Sequence, residues 1–141
     1  MIDLEANKSL SSATVEALNH RDWEALQRLC SQAYVHHAPR VPAADLSTYI
    51  ETASRLFLAF PDMIATVNKL VAEGEYVAIR YTGSGTHWGD FYGLAATGRT
   101  VSFDVIGMQR VVDGRIVEGW FEFDTGEIYA QLSDAGVSEK G

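Results

Sequence analysis

The chain has 141 residues with 19 acidic against 11 basic side chains, a formal net charge of −8. That length suits one domain, residues 1–141, with a single sizeable core. The acidic balance argues against nucleic acid or an anionic membrane as partner, because affinity for phosphates rests on basic side chains displacing counterions.

Cys30 is the one cysteine, so no internal disulfide can form, and it reads as a core residue. The start, Met1-Ile2-Asp3-Leu4-Glu5, is acidic where a secretory leader would be basic and then apolar. No apolar run reaches membrane-spanning length, and a cytoplasmic chain is the expectation.

Helical patterns come first and strand patterns second, which predicts an α+β fold. Residues 8 to 20 carry helical character, and Asp22 offers an N-cap for a short helix with Trp23, Leu26 and Leu29 at helical spacing. Asp45 can cap a third helix, where Leu46, Tyr49, Ile50, Ala53, Leu56, Phe57 and Phe60 form a 3.6-period stripe that Pro61 stops. The stripe reads as core, with its last aromatics, Phe60 above all, as a candidate pocket wall.

Strand character follows at 62–72, 75–86, 100–111 and 115–124, punctuated by Glu73-Gly74, a long loop and Asp113-Gly114. This order predicts a curved antiparallel sheet wrapped around the long helix, with a pocket on its concave side as the default binding site.

On the last strand Glu118, Trp120, Glu122 and Asp124 alternate, so they share one face. The Asp113-Gly114 turn decides what lies beside them. A two-residue loop pairs Val112 with Arg115 and brings Phe103, Val105, Gly107 and Gln109 to that face. A three-residue loop with a bulge pairs Val111 with Arg115 and brings Asp104, Ile106, Met108 and Arg110. The second is preferred, because it collects Phe103, Val105, Val117, Phe121 and Phe123 into an apolar face suited to a partner subunit and leaves the mixed face for a ligand. The plainer reading of Asp124 is an N-cap for a helix over Thr125 to Leu132.

The segments F-P-D-M (Phe60 to Met63), R-x-T-x-x-G-T-H-x-G (Arg80 to Gly89), T-G-R (Thr97 to Arg99) and D-G-R-I-V-E-x-W-x-x-x-D (Asp113 to Asp124), with Ala38-Pro39 after His36-His37, resemble the SnoaL-like polyketide cyclase family. The resemblance implies a cone-shaped α+β barrel of the nuclear transport factor two superfamily, N-terminal helices on a curved sheet, assembled as a homodimer or homotetramer. It also implies ring closure of a polyketide ester by intramolecular aldol reaction without a cofactor. On this resemblance Asp124 matches the catalytic acid/base, and His36 in a first-half loop, Trp88, Met108 and Arg110 match pocket positions. Met108 and Arg110 depart from the neutral hydrogen-bonding residue and the histidine that the family favours there.

The chemistry of such a site can be argued from the residues. An aldol closure needs a proton removed beside a carbonyl and one delivered to the new alkoxide, which one carboxyl group can do if burial against Trp120 and Trp88 raises its basicity. His36 can hydrogen-bond a carbonyl or enolate. His87 reads as fixing the Gly-Thr-His turn, while Trp88 reads as an aromatic wall for a planar ligand or as core. Arg80 either enters the polar cavity or pairs with Glu118, and Arg110 has the same two readings.

No metal is expected, since His20, His36, His37 and His87 show no i, i+4 pair or H-E-x-x-H pattern. The expected ligand is a hydrophobic, aromatic or polycyclic small molecule. The rival readings are an isomerase, hydratase or epoxide hydrolase in the same architecture, or a binding domain without turnover. No tyrosine stands out in the sequence as an oxyanion-hole donor of the ketosteroid isomerase kind.

Overall fold

The computed structural model describes residues 1–138, in the order α1 (Leu4–Asn19), α2 (Trp23–Leu29), β1 (Cys30–His37), α3 (Leu46–Ala59), β2 (Ile64–Glu73), β3 (Tyr76–Thr86), β4 (Thr100–Val112), β5 (Arg115–Glu122) and α4 (Thr125–Ser138). Each of the first three helices begins at an aspartate whose carboxylate accepts from a first-turn backbone N–H. The bonds are Asp3 to Ala6 at 3.0 Å, Asp22 to Ala25 at 3.0 Å and Asp45 to Thr48 at 2.8 Å. Caps of this kind satisfy donors that a helix start leaves free. α3 ends at Phe60, which leaves helical geometry ahead of Pro61.

The strands form one sheet in the order β1-β5-β4-β3-β2. Pairing is antiparallel except between β1 and β5, which run parallel, so the sheet is mixed. The expectation of a wholly antiparallel sheet is corrected by β1. Its sequence, CSQAYVHH, contains little that favours a strand by itself; the segment is held by β5 on one side and by a two-way backbone bridge between His36 and Ala44 on the other. The fold is α+β, and the sheet does not close on itself.

The Asp113-Gly114 turn is a two-residue loop. Both residues have positive φ, 50° and 76°, as a type I′ turn requires, and Val112 pairs with Arg115. The expected three-residue loop is therefore corrected. The extra residue lies one step later, where Val111 pairs with Ile116 but Arg110 pairs with Glu118, leaving Val117 as a bulge on β5. The bulge restores the alternation that the shorter turn would have reversed. Ile106, Met108 and Arg110 thus stand opposite Glu122, Trp120 and Glu118, as expected for a different reason.

The direction in which these faces point is the reverse of the expectation. Val101, Val105, Gly107, Gln109 and Val111 of β4 are buried, together with Ile116, Gly119 and Phe121 of β5, whereas Ser102, Asp104, Ile106 and Met108 are exposed. The apolar face assigned to a partner subunit is covered by the chain's own helices. α1 crosses it, packing chiefly on β2, and places Val15 against Ile79, Val105 and Phe121. An apolar face of that area, beside a helix with an apolar stripe, is buried within one chain before any partner is met.

A second cluster joins Ala59, Phe60, Met63, Phe91 and Val101 to Ile128 and Leu132 of α4. Beyond Ile106, β5 no longer borders β4. There the Gln131 side chain donates to the Ser102 carbonyl at 2.7 Å and accepts from its N–H at 2.8 Å, so that α4 satisfies the strand's free edge.

Candidate functional site

A group of aromatic and hydrogen-bonding side chains lies where β1, α3 and β5 meet. Tyr34 and His36 share the inward face of β1, and their side chains are hydrogen-bonded, Oη to Nδ1, at 2.8 Å. The imidazole stacks on Tyr49 of α3, with centroids 3.9 Å apart, and on Phe121 of β5 at 5.2 Å. Gly119, opposite His36 in the parallel ladder, makes this possible: a β-carbon there would stand 2.6 Å from the Tyr34 hydroxyl.

Burial governs the protonation of these groups. It pushes His36 down to about 4, with neighbouring His37 adding to the effect, so the imidazole is neutral at pH 7. Burial also raises Tyr34 and Tyr49 well above the ordinary phenol range and Tyr81 to about 12, keeping all three as phenols. The Cys30 thiol, pushed up to about 12, is inert core, as expected.

Tyr34, Tyr49 and Tyr81 line a central cavity with Thr14, Val15, Ile79, Gln109 and Phe121. At its far side Gln109 accepts from the Ser11 hydroxyl, and Thr14 donates its own hydroxyl to the Ser11 carbonyl at 2.7 Å. The free volume is about 10 Å³, close to the minimum for one water. A polycyclic ligand would have to displace side chains. A roomier depression, about 440 Å³, is an open groove lined by Ser84, Thr86, Thr100, Ser102, Asp62 and Gln131; it contains none of the candidate residues.

The remaining candidates lie elsewhere. Asp124, just past β5, is exposed, and its Oδ1 accepts from the Glu127 N–H at 3.1 Å, so it caps α4. No hydrogen bond joins it to His36 among the described residues. Met108, Arg110, Arg80 and Trp120 occupy the outer face, because the helices cover the opposite one. Met108 stands opposite Trp120, and Trp120 stacks on His37 at 5.4 Å. His37 in turn meets Glu118 at 2.6 Å.

Arg80 pairs with Asp104 at 3.0 Å and Arg110 with Glu75 at 3.0 Å; the pairing expected with Glu118 goes to His37 instead. Phe60 is fully buried core against His87 and Phe91 rather than a wall of the central cavity. Trp88 is 61% exposed and lies over Gly98.

His87 acts as the expected turn anchor. Its backbone bonds Arg99 and Gly98, and its Nδ1 accepts from the Thr97 N–H at 3.2 Å. The residues that sequence reasoning missed are the three tyrosines and Gln109. Tyr34 has the parity of His36, a clue that becomes usable once residues 30–37 are taken as a strand.

The family model for "SnoaL-like polyketide cyclase" matches residues 8–132. Among solved structures, IdmH from Streptomyces antibioticus, described as "a putative polyketide cyclase", is 34% identical with a TM-score of 0.82, over 89% of this chain and 97% of that one. AclR from Streptomyces galilaeus, described as "a putative hydroxylase", is 28% identical with a TM-score of 0.86, over 94% of this chain and 83% of that one. TsrD from Streptomyces laurentii is 26% identical with a TM-score of 0.83, over 94% and 98%. No curated protein matches the sequence. A match over that much of the length, with the helices and sheet superposing on the same architecture, shows that this chain belongs to the SnoaL-like polyketide cyclase family.

Proposed function

We propose that the chain is a cofactor-independent cyclase that closes a ring in a polyketide ester by an intramolecular aldol reaction. The carrying observation is His36, a neutral imidazole stacked on Tyr49 and Phe121 and hydrogen-bonded to Tyr34 at the edge of the interior. In this reading a base removes a proton beside a carbonyl, the enolate carbon attacks a second carbonyl carbon of the same molecule, and the resulting alkoxide takes a proton. His36 donates a hydrogen bond to the enolate oxygen, and Asp124 is the proton carrier.

Proton transfer by a placed group contributes roughly 10²–10⁴ in rate, and holding the two reacting carbons together supplies the larger part. An aromatic-walled interior suits a planar apolar substrate. Because the cavity holds about 10 Å³, binding must open it, moving Tyr49 and the α3 side of the cone away from the sheet.

Asp124→Asn tests the assignment, since asparagine preserves an N-cap while losing the charge. The expected result is loss of turnover of aromatic polyketide esters with melting temperature unchanged. Near-normal turnover would remove Asp124 from the reaction. The cap bond to Glu127 favours a second reading, a binding domain in which Asp124 is structural; esters bound but not consumed by the wild type would establish it.

We also infer a homodimer or homotetramer joined through the outer sheet face, where Ile106, Met108 and Tyr76 are 57%, 44% and 41% exposed. An apolar strip of this kind on a monomer surface calls for cover. Sedimentation of Met108→Asp should show monomers where the wild type shows the oligomer.

A further inference from the structure

The Tyr34–His36 contact has a direction that the chemistry of the two groups decides. Both are tied down: Tyr34 is 3% exposed, the His36 backbone is bonded twice to Ala44, and its ring stacks on Tyr49. At 2.8 Å one of Oη and Nδ1 donates to the other. A phenol O–H is the stronger acid and an imidazole nitrogen the stronger acceptor, so the proton lies on oxygen and points at Nδ1. A neutral imidazole has one N–H, and a filled acceptor position at Nδ1 assigns it to Nε2.

Nε2 is free to use that proton. It makes no hydrogen bond among the described residues, yet it is not sealed: the side-chain nitrogen that is both buried and without a partner is Nε2 of His87. The arrangement therefore offers an accessible N–H, protonated before any ligand arrives, on a ring that does not itself line the central cavity but stacks on two residues that do, Tyr49 and Phe121. Donors fixed in advance at the place where charge develops are the efficient kind.

We propose that Tyr34 is a positioning residue that holds His36 as its Nε2–H tautomer, so that this N–H is presented to an oxygen of the bound substrate. The substrate role rests on the cyclase reading; the tautomer does not. Gly119 belongs to the same device, because it leaves the space through which the phenol reaches Nδ1.

Two-bond nitrogen–proton correlation spectra of the ¹⁵N-histidine-labelled full chain report the tautomer directly, with the His36 signals identified by their loss in His36→Gln. The wild type should show Nε2–H. Tyr34→Phe should convert His36 to a mixture of tautomers and reduce kcat on aromatic polyketide esters by about tenfold, the net worth of one hydrogen bond, with KM nearly constant. Should that variant fail to fold, 3-fluorotyrosine at position 34, a stronger donor of nearly the same shape, should shift the Nδ1 resonance.

An Nδ1–H tautomer in the wild type, or a His36 spectrum indifferent to both changes at position 34, overturns the proposal while leaving ester turnover and the cyclase reading intact. A changed tautomer with unchanged kcat overturns the substrate role of the N–H. Absence of ester turnover in the wild type overturns the cyclase reading instead, and the spectra distinguish that case.

Discussion

The two faces of the β4–β5 ladder are built from the same strands, yet one holds Val105, Gly107, Phe121 and Gln109 in the interior and the other holds Ile106, Met108, Arg110 and Trp120 outside. Both contain large apolar residues, so composition alone does not tell them apart. The difference lies in what surrounds the charges. On the outer face Arg80, Arg110 and Glu118 each meet a partner at the surface, whereas the inner face carries no ionisable carboxylate or guanidinium on these two strands, and its buried Gln109 is satisfied by the Ser11 hydroxyl of α1. Burying an unpaired charge costs far more than leaving a methionine exposed. The face without charges is the one the helices cover.

The sharpest test compares Ile79 with Ile106, which lie one step apart on adjacent strands and on opposite faces. Ile79 is 2% exposed and Ile106 57%. Ile79→Ala should cost about 2–5 kcal/mol in denaturant unfolding, and Ile106→Ala about 0.5 kcal/mol or less in the monomer. A concentration-dependent loss for Ile106→Ala would show that a second copy covers the outer face. Equal losses at all concentrations would break the comparison.

The next effect is a pH dependence. Folding lowers His36 from its ordinary value near 6.5 to about 4, so between those values the unfolded chain binds more protons than the folded one. Stability is therefore complete above about 6.5 and falls as the pH drops through this window, by roughly 2–3 kcal/mol at its lower end. Asp45 and Asp62, whose carboxylates are held low by the Thr48 and Thr86 N–H groups, lose stability in the same direction at more acid pH. Unfolding measured from pH 7 to 4 should show the slope in the wild type and a reduced slope in His36→Gln; an unchanged slope would place its origin elsewhere.

What the sequence made legible follows from how local each cause is. The caps at Asp22 and Asp45, the stop at Pro61 and four of the strands were readable because a few neighbouring residues decide them. β1 was not, because it exists through pairing with β5 and Ala44, far away in sequence or across a loop. The grouping of Met108, Arg110 and Trp120 on one face was readable from alternation, though through a turn that the structure replaces by a shorter one and a bulge at Val117. Which way that face points was legible only in part: its charges, Asp104, Arg110, Glu118 and Glu122, mark it as the outer one, but the position of α1 over the opposite face is not decided by neighbouring residues.

The same limit hid part of the candidate site: Tyr34 joins His36 once residues 30–37 are a strand, and Tyr49 and Tyr81 enter only when α3 and β3 are placed. Asp124 was legible both ways, as a motif residue and as a cap, and the cap bond to Glu127 is present.

A smaller effect probes the seam between the two faces. Gly119 is the point where β5 lets the Tyr34 hydroxyl and the Phe121 ring approach, at 2.6 and 2.9 Å from where a β-carbon would stand. Gly119→Ala forces at least one of these atoms to move. The ring and phenol are packed on Tyr49 and His36, so neither yields freely. The expected cost is about 1–3 kcal/mol, as for other overpacked cores, together with loss of the Tyr34–His36 hydrogen bond.

Ala33→Gly, exposed on the neighbouring strand β1, is the control for backbone flexibility and should cost about 1 kcal/mol or less. If Gly119→Ala were as mild as that control and left the His36 resonances in place, the interior would be more plastic than its aromatic contacts imply. A site of about 10 Å³ could then open for a ligand by side-chain movement alone, without displacing α3.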